Sequence, residues 1–557
     1  MRVKAVVERA ARWPDAVPRL SSPRVGLSLV VASALVTIVV AALGPSVVTL
    51  NLGPEGWLPP WRLPVGTPHE WPVTVALWWG IILGGLGLWV LLRALDAGWR
   101  PGWTRLFGLG AALNVLTVLV APLTSADVLM YAAYGRLVRL GVDPYAVTPA
   151  AVLSRTFDPL LAWTEGPWQD TPSVYGPLAT ASQWLANVLG GESMHDVVWW
   201  LQVFGMVPLL VIGAVLVAMA GGDEVRQARA VLFTVLNPLV IWAVVAGAHN
   251  EALCVVFAVC ALASVRRSAF VTGVFIGLAG TVKVTLVFYG LALAWGYRRD
   301  WRKLVGLGLG ALLPLTVAYG LVPQALFAAA RNTGYISQGS WGLPVVFVLE
   351  ALTGEELARS IVTKVSWVLL VVIAWMLSRV LPWGRVPGGL SSGVAGIERR
   401  DLSADATGSP VVWALRSGAV VAADEVGAEP AAEGRDDPLT VSLRTAALLS
   451  AAWIIASPWT LPWYDLIAWA PLALLASNKL DRLLIWRGVS LSVAHVTARS
   501  VVLGPELTWW SWLLREMLCS VVQWGVLVAI AVWWWRAGHE LPTRAFLRRG
   551  RAHLRQG

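Results

Sequence analysis

Charge is what this chain has least of. Asp, Glu, Lys and Arg make up 14% of its 557 residues, where an ordinary soluble domain carries about 25%. So sparse a charged set excludes a string of soluble domains, although length alone would predict several. Cysteine is scarce too. Cys254, Cys260 and Cys519 all lie in apolar runs, and an odd number in oily surroundings reads as small hydrophobes rather than a disulfide framework. A cleavable leader is not expected either: the first 24 residues are polar and basic, and the first apolar run has no A-x-A site at a convincing place. No His, Cys, Asp and Glu cluster has a common metal-ligand spacing, so no metal and no cofactor are expected.

Apolar sequence takes the place of charge. Hydrophobic residues form 57% of the chain and the mean hydropathy is +0.66. Runs such as Val25–Leu43, Val73–Leu92, Leu106–Pro122, Val197–Ala220, Ala230–Ala246, Leu304–Leu321 and Val365–Val380 have the length a helix needs to cross a hydrocarbon core of about 30 Å. The expected fold is therefore an all-α polytopic integral membrane protein. Basic residues cluster between the runs: Arg2 to Arg24, Arg93 to Arg105, Arg226 and Arg229, Arg266–Arg267, Arg298 to Lys303, Arg379 and Arg385, Lys479 to Arg487, and Arg536 to Arg555. If each cluster is cytoplasmic, an even number of crossings separates every pair. That gives about fourteen transmembrane or half-crossing helices, with both termini cytoplasmic. Phe270–Val282 and Val284–Trp295 are short and only half-cross. The net charge of +10 then reflects loops facing anionic membrane lipids, with no nucleic acid as partner.

This topology divides the chain. Residues 1–24 are a basic cytoplasmic N-terminus, 25–122 the N-terminal transmembrane helices, and 123–196 a large extracytoplasmic loop. Residues 197–385 hold the central helices, with an outer loop at 322–359. The stretch 386–440, rich in Gly, Ala, Ser, Asp and Glu, reads as a disordered cytoplasmic linker. Residues 441–537 carry the C-terminal helices and 538–557 a basic cytoplasmic tail. The 34 tryptophans suit interfacial anchoring at helix ends, and tryptophan also stacks on sugar rings.

The large loop is the most polar part. Asp127, Asp143, Asp158, Glu165, Asp170, Glu192 and Asp196 outnumber Arg136, Arg139 and Arg155, and its prolines and tryptophans read as ordered rather than linking. It opens with "SADVLMYAAYGRLVRLGVDPYAV", residues 125–147. Ser125 is the expected N-cap of a helix running to about Leu140, with Asp127 in its first turn. An acidic residue there offsets the helix dipole by about 0.3–1 kcal/mol, so a structural role alone is one reading. But Asp127, Tyr131 and Tyr134 have i, i+4, i+7 spacing and share a face. On an amphipathic helix lying along the outer leaflet they would set a carboxylate beside two aromatic hydroxyls.

Other polar residues interrupt apolar sequence. Lys283 needs a partner or a polar cavity if buried, or it snorkels from a short half-helix. Arg499 is a second cation, or an interface anchor. His249, Asn250 and Glu251 stand together between two apolar runs, as a hairpin turn or as hydrogen-bonding groups. Trp463, Tyr464 and Asp465 start an outer helix, where an aromatic–carboxylate set suits a glycan or an interfacial cap. Tyr175 precedes Gly176–Pro177, which forces a turn.

The acidic residue that starts a helix just past an early membrane span, in the first large outer loop, resembles the glycosyltransferase C superfamily. More narrowly, "SADVLMYAAYGRLVRLGVDPY", "PSVYGPLA" (172–179), "AGAHNEAL" (246–253), "GLAGTVKVT" (277–285) and "SPWTLPWYD" (457–465) resemble the polyprenol-phosphate-mannose-dependent α-1,6-mannosyltransferases of actinobacterial lipomannan and lipoarabinomannan assembly. The resemblance spans roughly residues 100 to 510. That superfamily usually places its catalytic loop after the first helix. Here it follows the third, so the first two helices read as an addition.

The resemblance implies a hexosyltransferase of the cell envelope, in the cytoplasmic membrane with its active site extracytoplasmic. It would move mannose, with inversion, from polyprenyl-phosphate-mannose to a lipid-anchored α-1,6-mannan acceptor. Asp127 matches the acidic position and would be the general base; a cation would hold the leaving phosphate, Lys283 first and Arg499 second. Tyr131, Tyr134, Tyr175, His249, Asn250, Glu251, Trp463 and Asp465 are the sugar- and acceptor-binding candidates. The lipid-linked sugar is a substrate, not a cofactor, and oligomeric state is not read. A transferase using another sugar, such as arabinofuranose, fits the same scaffold. A transporter or flippase of lipid-linked sugars also has many helices and buried polar groups. Such carriers often show matching halves, and no repeat joins the two helical blocks here. A lipid-binding scaffold without activity is a third reading.

Overall fold

The computed structural model describes residues 22–54, 56–123, 125–332, 334–387 and 436–553. Most of the expected basic N-terminus and of the expected linker 386–440, and the end of the expected basic tail, lie outside them.

Among the described residues the chain is helical, with one isolated β-bridge, Thr49 to Leu123. Helices α1 (Pro23–Ala42), α2 (Glu70–Asp96) and α3 (Trp103–Val118) come first, then α4 (Asp127–Arg139), α5 (Pro177–Gly190) and α6 (Met194–Met219). Next are α7 (Glu224–Phe233), α8 (Glu251–Ser264), α9 (Ala269–Val282), α10 (Val287–Gly296), α11 (Trp301–Leu321), α12 (Gly342–Thr353) and α13 (Glu355–Val380). The C-terminal part holds α14 (Pro438–Ala456), α15 (Leu466–Leu472), α16 (Lys479–Ala494), α17 (Pro505–Trp512) and α18 (Cys519–His553). Among the described residues eight spans are long and apolar enough to cross a membrane, including Glu224–Val245 and Pro505–His539. Four shorter apolar helices accompany them, α9 and the Val284–Gly296 segment being the two short ones the sequence predicts.

Burial separates lipid-facing helices from central ones. In α11 only 11% of the most apolar window is covered by protein, and Leu309, Leu312, Leu313 and Val317 point outward. In α14 the share is 83%. The run Ala230–Ala246 does not form one straight span. After α7 the chain turns at Thr234–Asn237, Pro238 lacks an amide hydrogen to continue a helix, and Asn237 Oδ1 accepts from Leu239 N at 3.0 Å to start again. Ile241–Val245 then winds as a π-helix, a form that recurs at functional sites.

The two helical blocks form one bundle. Helix α14 packs on α10 and α13, and buried Arg229 Nη1 donates to Asp481 Oδ2 at 2.9 Å, tying α7 to α16.

Helix α4 has the predicted span but not the predicted setting. It does not lie along a surface: every residue from Val128 to Leu137 is buried, because α5 and α6 pack over it. Asn187 Nδ2 donates to Ala132 O at 2.9 Å, and a side chain at Gly135 would strike the backbone of Gln183. Buried Arg136 pairs with Asp158 at 2.8 Å, which folds the following loop back onto the helix. Ala126 occupies the N-cap position, and Ser125 assists from one residue earlier, its Oγ accepting from Asp127 N at 3.3 Å.

Candidate active site

A cavity of about 480 Å³ opens beside the start of α4. Asp127, Tyr131 and Tyr134 all line it, as their shared face requires. Tyr175 closes one side, its ring edge-on to Tyr131 at 5.1 Å, while Tyr134 Oη donates to Thr171 O at 2.9 Å. Burial, with the Asp127 charge adding to it, pushes the phenols of Tyr131, Tyr134 and Tyr175 well above their ordinary range. They therefore stay protonated, as hydrogen-bonding hydroxyls. Asp127 is the one carboxylate that this face of the helix offers to the cavity.

Behind Asp127 stands His249, fully buried. The π-helix presents the carbonyl of Ala243 to its Nδ1 at 2.6 Å, so that nitrogen carries hydrogen. The other nitrogen, Nε2, sits 3.1 Å from Ser125 Oγ and 3.6 Å from Asp127 Oδ2. Trp463 stacks flat on the imidazole, with 3.6 Å between centroids and 15° between planes. Ala248, just before it, holds φ at 52°, a left-handed conformation uncommon outside glycine and found where surrounding structure imposes it. The "AHNE" stretch is thus a tight reversal whose histidine fixes the acidic residue rather than entering the cavity.

Lys283 is where α9 ends and a 3-10 turn leads to α10; its backbone is extended, with φ −148°. The ammonium lines the cavity, lies 4.8 Å over the Tyr464 ring, and is ion-paired to Glu251, which is completely buried. It does not snorkel. Its charge is matched within the protein.

The remaining sequence candidates are placed elsewhere. Arg499 does not line the cavity: it pairs with Glu165 and donates from Nη1 to Ser46 O at 2.8 Å and Thr49 O at 2.7 Å, clamping two loops. Asp465 is ion-paired to buried Arg487 and faces the bundle interior. Asn250 sits at the start of α8 outside the cavity lining. Of the acceptor candidates, Tyr131, Tyr134, Tyr175 and Trp463 reach the cavity; His249 and Glu251 support residues that do.

The cavity also has lining residues that the sequence reading passed over. His495 and Arg515 reach it, as do Trp168, Tyr335 and Trp459, whose rings meet one another at 5.6–6.3 Å from three separate segments. The rule that singled out Lys283, a charge inside apolar sequence, applies equally to Arg515 in "WSWLLREMLCS". Nothing local announces the aromatic trio. Among the described residues no three His, Cys, Asp or Glu side chains gather as a metal site would need.

Comparison with known proteins agrees with the motifs. Residues 28–298 match the N-terminal domain of the alpha-(1->6)-mannopyranosyltransferase family. The chain is 27% identical to alpha-(1->6)-mannopyranosyltransferase B of Corynebacterium glutamicum, over 42% of this chain and 41% of that protein. It is 27% identical to alpha-(1->6)-mannopyranosyltransferase A of the same organism, over 46% of this chain and 55% of that protein. With alpha-(1->6)-mannopyranosyltransferase A of Mycobacterium tuberculosis it shares 26% identity, over 52% of this chain and 60% of that protein. The chain thus spans about half the length of the curated relatives it matches. No solved structure matches it.

Proposed function

We propose that this chain is an α-1,6-mannosyltransferase that takes mannose from polyprenyl-phosphate-mannose and adds it to a lipid-anchored α-1,6-mannan, extending a lipomannan backbone at the outer face of the cytoplasmic membrane. The observation that carries the reading is the placement of Asp127: a carboxylate at the head of a buried helix, 23% exposed into the cavity, held from behind by His249, with a lysine across the same space. Similarity to mannopyranosyltransferases supports the sugar; the cavity supports the reaction type.

In this reading the Asp127 carboxylate accepts the proton of the acceptor hydroxyl as that oxygen bonds to the anomeric carbon. The bond from that carbon to the phosphate oxygen breaks, its electron pair leaving with the polyprenyl phosphate. Attack from the face opposite the leaving group inverts the centre. General-base assistance of this kind is worth on the order of 10²–10⁴-fold. The Tyr131, Tyr134 and Tyr175 hydroxyls border the sugar, and Lys283 faces the donor.

The test is transfer of radiolabelled mannose from polyprenyl-phosphate-mannose to a short α-1,6-mannan in membranes holding the full chain. Labelled product that stops forming in Asp127→Asn supports the reading. Transfer of another lipid-linked sugar but not mannose would move the chain to a different donor class. Flipping of the lipid with no transfer would make it a carrier. Sidedness is checked separately, by single cysteines at Ser154 and Ser403 treated in intact cells with an impermeant thiol reagent: the first should label and the second should not.

A further inference from the structure

Among the described residues two cations line the cavity, Lys283 and Arg515, and the first is held in an ion pair. Lys283 is matched by Glu251. Among the described residues Arg515 has no carboxylate within ion-pair distance, the Glu516 charge acting on it from farther away, and its buried Nε has no hydrogen-bond acceptor. The guanidinium is half-buried, with Nε covered and its remaining donors facing the cavity. Donors so placed are open to an anion that enters.

The backbone around Arg515 is built to hold it. Leu513–Leu518 is a π-helix between α17 and α18, again the local form common at functional sites. The segment behind it is pinned: Ser520 Oγ donates to Ser340 O at 2.9 Å and Trp524 Nε1 to Trp341 O at 3.1 Å. The same turn is tied to the α14–α15 connection by Ser337 N donating to Pro458 O at 2.9 Å and Thr460 N to Ser337 Oγ at 3.0 Å. Preorganised charge of this kind acts without reorganising during a reaction.

We infer that Arg515 is the catalytic cation that receives the charge developing on the departing lipid phosphate, while the Lys283–Glu251 pair shapes the opposite wall. The assignment rests on the transferase reading above. Its chemical logic is a change in charge. The donor is a phosphodiester with one negative charge. When the sugar–oxygen bond breaks, the electron pair stays on phosphate, and the product is a monoester that gains a second charge, partly protonated near neutral pH. A lysine already matched by a carboxylate offers that extra charge little. An unmatched guanidinium, with its planar fork of donors, offers it more in the transition state than in the ground state, which is the difference that accelerates a reaction. Arg515 lies outside the stretch matched by the family profile, residues 28–298, so the assignment comes from the cavity alone.

The experiment uses the full chain in lipid nanodiscs, with Arg515→Gln and Arg515→Lys, each first shown to be monodisperse. Two readouts are taken: steady-state transfer, and binding of polyprenyl phosphate against uncharged polyprenol. Removing a comparable preorganised donor lowers kcat by roughly 10²–10³-fold. We expect that loss for Arg515→Gln, with a much smaller change in donor KM, and at least a ten-fold weaker affinity for polyprenyl phosphate; Arg515→Lys should recover part of both. Unchanged phosphate affinity in folded Arg515→Gln overturns the assignment, as does equal wild-type binding of polyprenol and polyprenyl phosphate. Arg515-dependent phosphate binding without any mannose transfer would leave this assignment standing and sink the function proposed above.

Discussion

Arg499 and Arg515 leave neighbouring turns of the same C-terminal region and end in opposite situations. Arg499 reaches back to Glu165 and to the carbonyls of Ser46 and Thr49, so its charge and most of its donors are used inside the fold. Arg515 lines the cavity and is in no ion pair among the described residues, the Glu516 charge reaching it only from farther away. One arginine holds the loops that frame a site, and the other is left available inside it. The comparison teaches that the partners of a charge, rather than its presence in apolar sequence, separate a structural clamp from a candidate for binding. The same distinction separates Asp127, with a histidine at 3.6 Å and the cavity in front, from Asp465, ion-paired to Arg487 deep in the bundle.

The largest effect should come from the unmatched carboxylate. Asp127→Asn keeps the shape and the place at the helix start, so the protein should insert and fold normally. Transfer should fall by about 10²–10⁴-fold. If Asp127 only offset the helix dipole, the outcome would be a loss of under about 1 kcal/mol of stability with near-normal turnover. Transfer by well-folded Asp127→Asn within a few-fold of wild type would erase the contrast with Asp465.

Next in size is the matched lysine. Lys283→Met leaves Glu251 charged and completely buried, and breaking one side of such a pair costs about 3–5 kcal/mol. Thermal unfolding in detergent should show a marked drop. Lys283→Met combined with Glu251→Leu removes both charges and should recover most of that stability. The recovered protein then separates structure from chemistry: its donor KM should rise more than its acceptor KM, because the cation proposed to face the donor is gone. A double variant with wild-type donor KM would assign Lys283 to the fold alone and sharpen the case for Arg515.

How much of this was legible in the sequence depends on how far apart the interacting residues lie. The helical class follows from apolar run length, and the shared face of Asp127, Tyr131 and Tyr134 from helical spacing, because both are local properties. The break at Lys283 was legible too, as a charge between two short runs. The burial of α4 was not: its polar residues Arg136 and Asn187's partner carbonyl at Ala132 are satisfied by groups 22 to 56 positions away, and spacing alone made the helix look like a surface one. The role of "AHNE" depended on a π-helix and a left-handed alanine, which no propensity announces. Arg499 stood out as a cation candidate and Arg515 was passed over, because the carboxylate that occupies Arg499 is 334 positions away.

The smallest effect on chemistry should come from Arg499, and it tests the comparison from its structural side. Its guanidinium side chain is 5% exposed, while its partner Glu165 is 22% exposed. In Arg499→Gln the carboxylate can therefore turn toward water, which limits the electrostatic loss. What remains is the loss of donors to Ser46 O and Thr49 O, and leaving such carbonyls unsatisfied costs about 1–3 kcal/mol. The residues that frame the cavity from α4 are held independently, by Asn187 and by the Arg136–Asp158 pair, so the position of Asp127 should survive. The expected result is a lower unfolding temperature, with kcat and both KM values close to wild type when assayed well below it. Arg499→Gln that stayed fully folded yet lost transfer as severely as Arg515→Gln would show that a matched arginine can also take part in the reaction. The missing counter-charge would then no longer identify the active one.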